Sequence, residues 1–183
     1  MKTKSFGILT AVSVMLAGGS ANANILLDVY AGGTYGIGGY SLFADGKHES
    51  FSSDTYGAVL GLDIPVFRFE LEYNYLNGDE VSMNIGLINA YLKMPTPIVK
   101  PYIGAGIGST FSSKYEPATG TNMDIDDTTV YQGMLGLTFD FPVIPFDIDI
   151  EGRVLYAPDI FENAELTPDL LQYEGRAKLR YVF

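Results

Sequence analysis

The segment from Phe146 to Phe183 places the strongest constraint on what this chain can fold into. Over the thirteen residues from Leu171 onward, apolar or small side chains occupy the odd positions, and polar or charged ones occupy the even positions up to Arg180. Phe146–Ala157 alternates in the same way. A period of two indicates a β-strand with two unlike faces, and these strands are about twice as long as typical soluble ones. A transmembrane β-barrel satisfies both faces, because lipid surrounds it and a polar lumen lies inside.

The first 23 residues have the pattern of a secretory signal peptide. Lys2 and Lys4 form a basic start, Phe6–Leu16 is apolar, and Ala21-Asn22-Ala23 is an A-x-A cleavage site. An uncleaved membrane helix is disfavoured because this apolar run is too short to span about 30 Å of hydrocarbon. We therefore predict a cleaved signal peptide at 1–23 and a single outer-membrane β-barrel domain at 24–183.

The composition excludes one class of partner and fits a β-protein. The net charge is −11, which becomes −13 (−11 − 2) when Lys2 and Lys4 leave with the signal peptide. Such an acidic protein is not expected to bind nucleic acid. The sequence has no cysteine, so no disulfide supports the exported fold. Its 13 tyrosines, 11 phenylalanines and 21 glycines are typical of a barrel with aromatic girdles.

Eight strand-like segments follow one another along the mature chain. They cover Ile25–Tyr35, Thr55–Ile64, Phe67–Leu76, Val81–Met94, Pro101–Phe111, Thr128–Phe141, Phe146–Ala157 and Leu171–Phe183. Three connections are short and contain proline, and four are longer or polar, including a predicted loop at Gly36–Asp54. This asymmetry is typical of outer-membrane barrels, which have short periplasmic turns. We predict an all-β fold, an eight-stranded antiparallel up-and-down transmembrane β-barrel in a bacterial outer membrane. Val81–Met94 alternates least, and we expect a bulge near Asn89.

The period alone does not decide which face points inward, because a soluble lipocalin-like barrel alternates in the same way. The strands mostly have ten to fourteen residues, which is enough to cross a bilayer at a tilt. Gly104, Gly106 and Gly108 share a face that leaves room for long charged side chains in a narrow lumen. Aromatic residues near strand ends predict interfacial belts: Tyr35, Phe67, Tyr75, Phe139, Phe141, Phe146, Tyr156, Tyr181 and Phe183. All three features favour the membrane barrel.

The polar rows of these strands carry nine acids and five bases. Side chains fill the interior of an eight-stranded barrel, and an unpaired buried charge is very costly. We therefore predict a lumen salt-bridge network in which Arg153 and Arg176 pair with carboxylates of the third and seventh strands. Its predicted members are Glu70, Glu72, Asp149, Glu151, Arg153, Glu174, Arg176 and Lys178. Such a network either plugs the barrel or lines a narrow path that prefers cations.

Three segments, Phe69–Tyr73, Asn89–Leu92 and Pro101–Gly108, together with the closing Arg180–Phe183, resemble the small outer-membrane β-barrel superfamily. That group includes the opacity and neisserial surface proteins and the barrels of the outer-membrane protein A and X type. The resemblance implies an outer-membrane location. It also implies that the last strand is the signal read by the barrel-assembly machinery, carried by Tyr173, Leu179, Tyr181 and Phe183.

The sequence offers little for catalysis or metal binding. A lipid-modifying enzyme would have to use the single histidine, His48, which lies beside Glu49 and Ser50 in a predicted outer loop. A lone loop histidine is most often solvated. Asp124–Asp127 supplies oxygen ligands but lacks the pattern of a dedicated calcium loop. We expect no enzyme activity, no cofactor and no specific metal site.

The predicted outer loops hold thirteen acids and two bases, so the outer face is strongly anionic. We expect a non-enzymatic surface protein, either envelope-structural or adhesin-like through these loops, with the lumen plugged by salt bridges. The alternative is a narrow, cation-preferring, porin-like channel. The expected partners are outer-membrane lipid and lipopolysaccharide, the barrel-assembly machinery and an unidentified surface ligand. We expect the barrel to be a monomer.

Overall fold

A computed structural model describes residues 27–44, 47–78, 81–115, 123–125, 128–141, 143–158 and 169–183. The predicted signal peptide, residues 1–23, lies outside them. The strands are β1 (Asp28–Ala44), β2 (Lys47–Asp63), β3 (Phe67–Gly78), β4 (Val81–Lys93), β5 (Val99–Tyr115), β6 (Met123–Ile125), β7 (Thr129–Asp140), β8 (Phe146–Ala157) and β9 (Asp169–Val182). Within the described part of the chain, no helix is both long enough and apolar enough to cross a bilayer.

Eight of these strands form a closed antiparallel barrel. The order around the ring is β4-β3-β2-β1-β9-β8-β7-β5, and pairing of β4 with β5 closes it. The first and last strands pair from Tyr30↔Val182 to Phe43↔Asp169. Closure satisfies the backbone of every barrel strand, which lipid cannot do. The predicted eight-stranded barrel is confirmed, and the three-residue β6 is an addition that pairs with β5 outside the predicted strand set.

The first outer connection differs from the prediction. Residues 36–54 do not form a loop, because β1 continues to Ala44 and β2 begins at Lys47, in one unbroken register. The glycines that suggested a loop serve close packing instead. A Cβ on Gly36 would lie 2.8 Å from Cδ of Glu174, and a Cβ on Gly38 would lie 2.1 Å from a backbone oxygen of β9. Glycine therefore lets a neighbouring strand and its carboxylate approach closely.

The irregularity in β4 also differs from the prediction. The register against β5 shifts between Ser82 and Asn84, whereas Asn89 pairs in regular register with Gly106. A bulge near Asn89 is therefore wrong. The alternation of β4 is weak for another reason, which is that most of its inward side chains are also apolar: Met83, Ile85, Leu87 and Tyr91.

The outward face of the barrel is an apolar belt between two aromatic girdles. Six aliphatic side chains of the belt that are at least 50% exposed are Leu71, Ile88, Ile103, Ile107, Leu135 and Ile150. The girdle near the short turns contains Phe67, Phe141, Phe146, Tyr181 and Phe183, and the opposite girdle contains Tyr35, Tyr56, Tyr73, Tyr75, Tyr131, Tyr156 and Tyr173. A soluble monomer does not expose a continuous apolar surface of this kind. The apolar face points outward into lipid, and the lipocalin-like alternative is excluded.

Candidate functional site in the barrel lumen

Three tiers of buried side chains lie inside the lumen along the barrel axis. Neutral polar side chains, among them Thr55, Thr110 and Gln172, are buried beside the outermost of them. The periplasmic tier lies beside the short turns and consists of Asp63, Arg68, Lys93, Asp147, Asp149 and Arg180. The central tier consists of Glu70, Glu72, Glu151, Arg153, Glu174, Arg176 and Lys178. The outer apolar tier lies toward the outer connections and consists of Tyr40, Leu76, Met83, Ile85, Leu87, Val130, Leu155, Ala157 and Leu170.

The tiers arise because every second side chain of a strand points inward. On β3 the inward row begins with Arg68, passes through two glutamates and ends at Leu76. On β9 the inward row runs the other way, from Leu170 to Arg180. The antiparallel register therefore brings like tiers of neighbouring strands to the same height.

Two arginines share carboxylates at the middle of the central tier. Arg176 places Nη2 2.5 Å from Oε1 of Glu72, Nε 3.5 Å from Oε1 of Glu151 and Nη1 3.7 Å from Oε1 of Glu174. Arg153 places Nη2 2.8 Å from Oε1 of Glu174 and Nη1 3.6 Å from Oε1 of Glu72. All of these side chains are buried. Each of these carboxylates contacts at least one arginine, which avoids the large cost of an unpaired buried charge.

Lys178 and several neutral donors complete the central tier. Lys178 Nζ lies 2.7 Å from Oε1 of Glu70, and the hydroxyl of Tyr30 donates to Oε2 of the same glutamate at 2.6 Å. The tier has four carboxylates and three cations, so one carboxylate lacks a cation of its own. Neutral groups also donate to these carboxylates and spread this excess charge: Tyr91 to Oε1 of Glu70, which Lys178 also contacts, Tyr102 to Glu151, and Asn89 and Gln132 to Glu72.

In the periplasmic tier two arginines link three aspartates. Arg180 contacts Asp149 at 2.9 Å, Asp147 at 3.0 Å and Asp63 at 3.4 Å. Arg68 contacts Asp149 at 3.1 Å and Asp63 at 3.2 Å. Three tyrosine rings surround the guanidinium of Arg68 with centroids 5.3 to 5.8 Å away, which favours the buried cation further.

The structure places all eight predicted network residues inside the lumen and buries them. Seven lie in the central tier, where Arg176 contacts carboxylates on β3, β8 and β9. Arg153 contacts carboxylates on β3 and β9. Asp149 is the eighth, and it pairs with Arg68 and Arg180 in the periplasmic tier.

Sequence reasoning left Arg68 and Arg180 out of the network, although each is fully buried in it. The signal was present, because Arg68 stands two residues before Glu70, and Arg180 two after Lys178, in the same inward rows. It also missed the outer apolar tier. Leu76 and Leu155 are in phase with the charged rows, so the polar face of each strand becomes apolar toward its outer end.

The predicted assembly-signal residues all lie on the lipid-facing side of the barrel. Tyr173, Leu179, Tyr181 and Phe183 are between 42% and 67% exposed there. The Tyr181 ring lies 5.2 Å from the ring of Phe146 and 5.1 Å from that of Phe183. The backbone N–H of Phe183 donates to the carbonyl of Val29 at 2.9 Å, which fixes the chain end against β1.

The other candidate groups fall largely outside the described residues. The backbone of His48 belongs to β2, but its side chain and those of Glu49 and Ser50 lie outside the described part of the structure. Asp124 contributes backbone to β6, and Asp126 and Asp127 are not among the described residues. Among the side chains that are described, no three His, Cys, Asp or Glu groups come together in a way that could hold a metal ion.

Neither a family model nor a curated protein matches this chain. Several solved structures match its fold. Neisserial surface protein A matches with a TM-score of 0.59 at 15% identity, over 82% of this chain and 95% of that one. The N-terminal β-barrel domain of Pseudomonas aeruginosa OprF matches with a TM-score of 0.55 at 16% identity, over 82% and 97%. The outer membrane protein OprG from Pseudomonas aeruginosa gives 0.54 at 11% identity, over 87% and 96%.

The fold is that of the small outer-membrane β-barrels. This confirms the expected resemblance at the level of fold. A closed antiparallel barrel with a lipid-facing belt and two aromatic girdles is the outer-membrane type of membrane protein. The outer-membrane location is therefore confirmed as well.

Proposed function

We propose that this small outer-membrane β-barrel is a non-enzymatic surface protein that acts through its outer connections and not through its lumen. Its role would be envelope-structural or adhesin-like. The observation that carries the proposal is the outer apolar tier, a cluster of buried apolar side chains inside the barrel on the side of the outer connections.

The outer apolar tier is a barrier to ions for a simple physical reason. Its members are no more than 3% exposed, and the Tyr40 ring stacks on that of Phe51 with centroids 5.3 Å apart. An ion entering it would lose its water and gain no charged partner. Narrow apolar constrictions also exclude water itself, which closes channels without any covalent or ionic lock.

The contacts within the central tier also support the proposal. Its arginines and carboxylates meet inside the lumen with contacts of 2.5 to 3.7 Å, and neutral donors take further oxygens. In an eight-stranded barrel the lumen has room for little beyond its own side chains. We infer that the salt bridges rigidify the barrel and that the apolar tier seals it.

A cation-preferring channel is the second candidate function. It is favoured by the excess of one carboxylate in the central tier and by the acidic groups below it. For ions to pass, however, the side chains of the outer apolar tier would have to move apart. The channel therefore requires a second conformation of the barrel.

Planar-bilayer conductance of the refolded mature barrel tests this proposal. Folding is first established by the faster migration of the unheated protein on a detergent gel. We expect no discrete current steps at moderate voltage. Reproducible cation-selective steps from the folded wild-type barrel would overturn the proposal and favour the channel.

The two surface roles can be separated by adhesion of cells that display the protein. The comparison variant replaces residues 116–127, an acidic stretch in the third outer connection, with a Gly-Ser segment of equal length. An adhesin-like role predicts a clear loss of attachment to epithelial cells. Unchanged attachment together with weaker envelope integrity, measured as detergent sensitivity of the deletion strain, favours the envelope-structural role.

A further inference from the structure

The three short turns at the periplasmic end of the barrel contain no charged residue. They connect β2 to β3, β4 to β5 and β7 to β8, and they cover residues 64–66, 94–98 and 141–145. We call them the periplasmic turns. Of their thirteen residues, seven are apolar, five are proline and one is Thr96. The predicted outer loops, in contrast, hold thirteen acids and two bases, so the two ends of the barrel differ sharply in chemistry.

Large apolar side chains of the periplasmic turns are exposed. Val143 is 94% exposed, Met94 62%, Ile98 54% and Ile144 51%. These fractions match those of the aliphatic side chains in the lipid-facing belt. The apolar surface of the barrel therefore continues past the girdle near the short turns and onto the turns themselves. An exposed apolar surface of this extent marks a contact with a membrane or with another protein.

Polar groups of the periplasmic turns are satisfied within the protein or missing altogether. The five prolines have no N–H group that would need water. The backbone N–H groups of Ile64, Met94 and Ile144 donate to backbone carbonyls at 2.9 to 3.1 Å. Thr96 has the one polar side chain of the turns, and its hydroxyl donates to the carbonyl of Val99. A segment needs such internal pairing where lipid takes the place of water.

The two aromatic girdles indicate different positions for the boundary between lipid and water. The girdle near the outer connections contains seven tyrosines, whose hydroxyl groups suit that boundary. The girdle near the short turns contains four phenylalanines and one tyrosine, Tyr181. Phenylalanine has no polar tip to place in water. At this end we therefore expect the boundary to lie beyond the phenylalanines, at the level of the periplasmic turns.

The exposed apolar groups encircle the periplasmic mouth of the barrel. Around the ring the strands form four neighbouring pairs, which are β3 with β2, β1 with β9, β8 with β7, and β5 with β4. The periplasmic turns join three of these pairs. At the fourth pair, Leu27 lies beside β1 and Phe183 beside β9, and they are 45% and 67% exposed. A membrane surrounds a barrel on every side, whereas one docked protein covers one side, so this distribution favours a lipid surface.

We propose that the periplasmic turns are embedded in the inner leaflet of the outer membrane, at the boundary between phospholipid headgroups and acyl chains. The partner of this surface is phospholipid, and the periplasmic mouth of the barrel opens among headgroups. Burial of the exposed aliphatic side chains in lipid is favourable because it removes their apolar area from water. The proposed surface role makes no use of these turns, which lie at the opposite end from the outer connections.

Site-directed spin labelling of the mature barrel, refolded into phospholipid vesicles, tests the proposal. The sequence has no cysteine, so each variant carries a single label. Val143→Cys places the label two residues after the girdle residue Phe141, and the matched control Asn77→Cys places it two residues after the girdle residue Tyr75. Leu135→Cys, in the belt, gives the value for a lipid-embedded label. The measured quantity is the accessibility of each label to a water-soluble nickel chelate.

We expect the label at position 143 to be at least threefold less accessible to the nickel chelate than the label at position 77, and closer to the label at position 135. Ile98→Cys tests a second turn with the same expected result, and it takes the place of Val143→Cys if that variant does not fold. Chelate accessibility at positions 143 and 98 equal to that at position 77, in barrels that show the heat-modifiable gel shift, would place the turns in water and overturn the proposal.

Discussion

The central and outer tiers fill the same lumen with opposite chemistry. In the central tier three cations and four carboxylates are held by directed contacts, such as the 2.5 Å contact between Arg176 and Glu72. In the outer apolar tier nine buried side chains pack without a single formal charge. Directed contacts fix the positions of strands and are lost at once when a partner is removed. Apolar packing tolerates local adjustment but excludes ions. We propose that the central tier makes the barrel rigid and that the outer apolar tier closes it.

The largest effect is expected from removing a cation of the central tier. Arg176→Ala leaves Glu72 and Glu151 without a main partner in a buried site, which should lower the free energy of unfolding by about 3–5 kcal/mol. Urea unfolding of the barrel in lipid vesicles measures this.

Lys100→Ala is the matched control for that variant. Lys100 forms its ion pair with Asp140 at the rim, where its side chain is 25% exposed, and its loss should cost less than about 1 kcal/mol. Equal losses for the two variants would show that the central tier has no special part in stability.

A cavity in the outer apolar tier should cost somewhat less. Leu155 is fully buried there, and Leu155→Ala should lower the unfolding free energy by about 2–4 kcal/mol through lost packing. The same urea measurement applies. Leu135→Ala on the lipid face, where Leu135 is 67% exposed, is the control and should have a clearly smaller effect. A reversed order would mean that the outer tier is loosely packed and does not close the lumen.

A pair of glycines on neighbouring strands gives a finer test of how tightly the central tier is filled. A Cβ on Gly106 would lie 2.0 Å from Oδ1 of Asn89, a residue whose Nδ2 donates to Glu72. Gly106→Ala should therefore cost about 1–3 kcal/mol through overpacking. Gly133 faces lipid, and a Cβ there meets no atom within 4 Å. Gly133→Ala should therefore be neutral or stabilise the barrel by up to about 1 kcal/mol. Thermal midpoints of the heat-modifiable gel shift compare the two, and destabilisation by Gly133→Ala alone would contradict this packing account.

The sequence predicted the barrel well because a period of two fixes which face of a strand each side chain takes. The strict rows on β3, β8 and β9 therefore predict one face for Glu70, Glu151 and Arg176, and these side chains lie in the buried rows of their strands. The period does not say which inward residues meet across the barrel. That depends on strand stagger, so the pairing of Asp149 with Arg68 could not be read from spacing.

Two features were not predicted because the residue composition of the segments conceals their alternating strand pattern. Gly36 and Gly38 resemble loop residues, although they lie within β1 and make room for β9. Leu76, Met83 and Leu155 continue the inward rows with apolar side chains, so the contrast between the two faces disappears toward the outer ends of the strands. The outer apolar tier can be recognised from the inward position that the strand alternation assigns to each residue, and not from the polarity of its side chain.

We propose that the outer apolar tier, and not the salt-bridge network, closes the lumen. Bilayer conductance of three folded proteins tests it: the wild type, an outer-tier variant with Leu76→Ala and Leu155→Ala, and a central-tier variant with Glu72→Gln and Arg176→Gln. We predict that only the outer-tier variant shows discrete, cation-selective current steps. Steps from the central-tier variant beside a silent outer-tier variant would contradict the account and make the salt bridges the closing element.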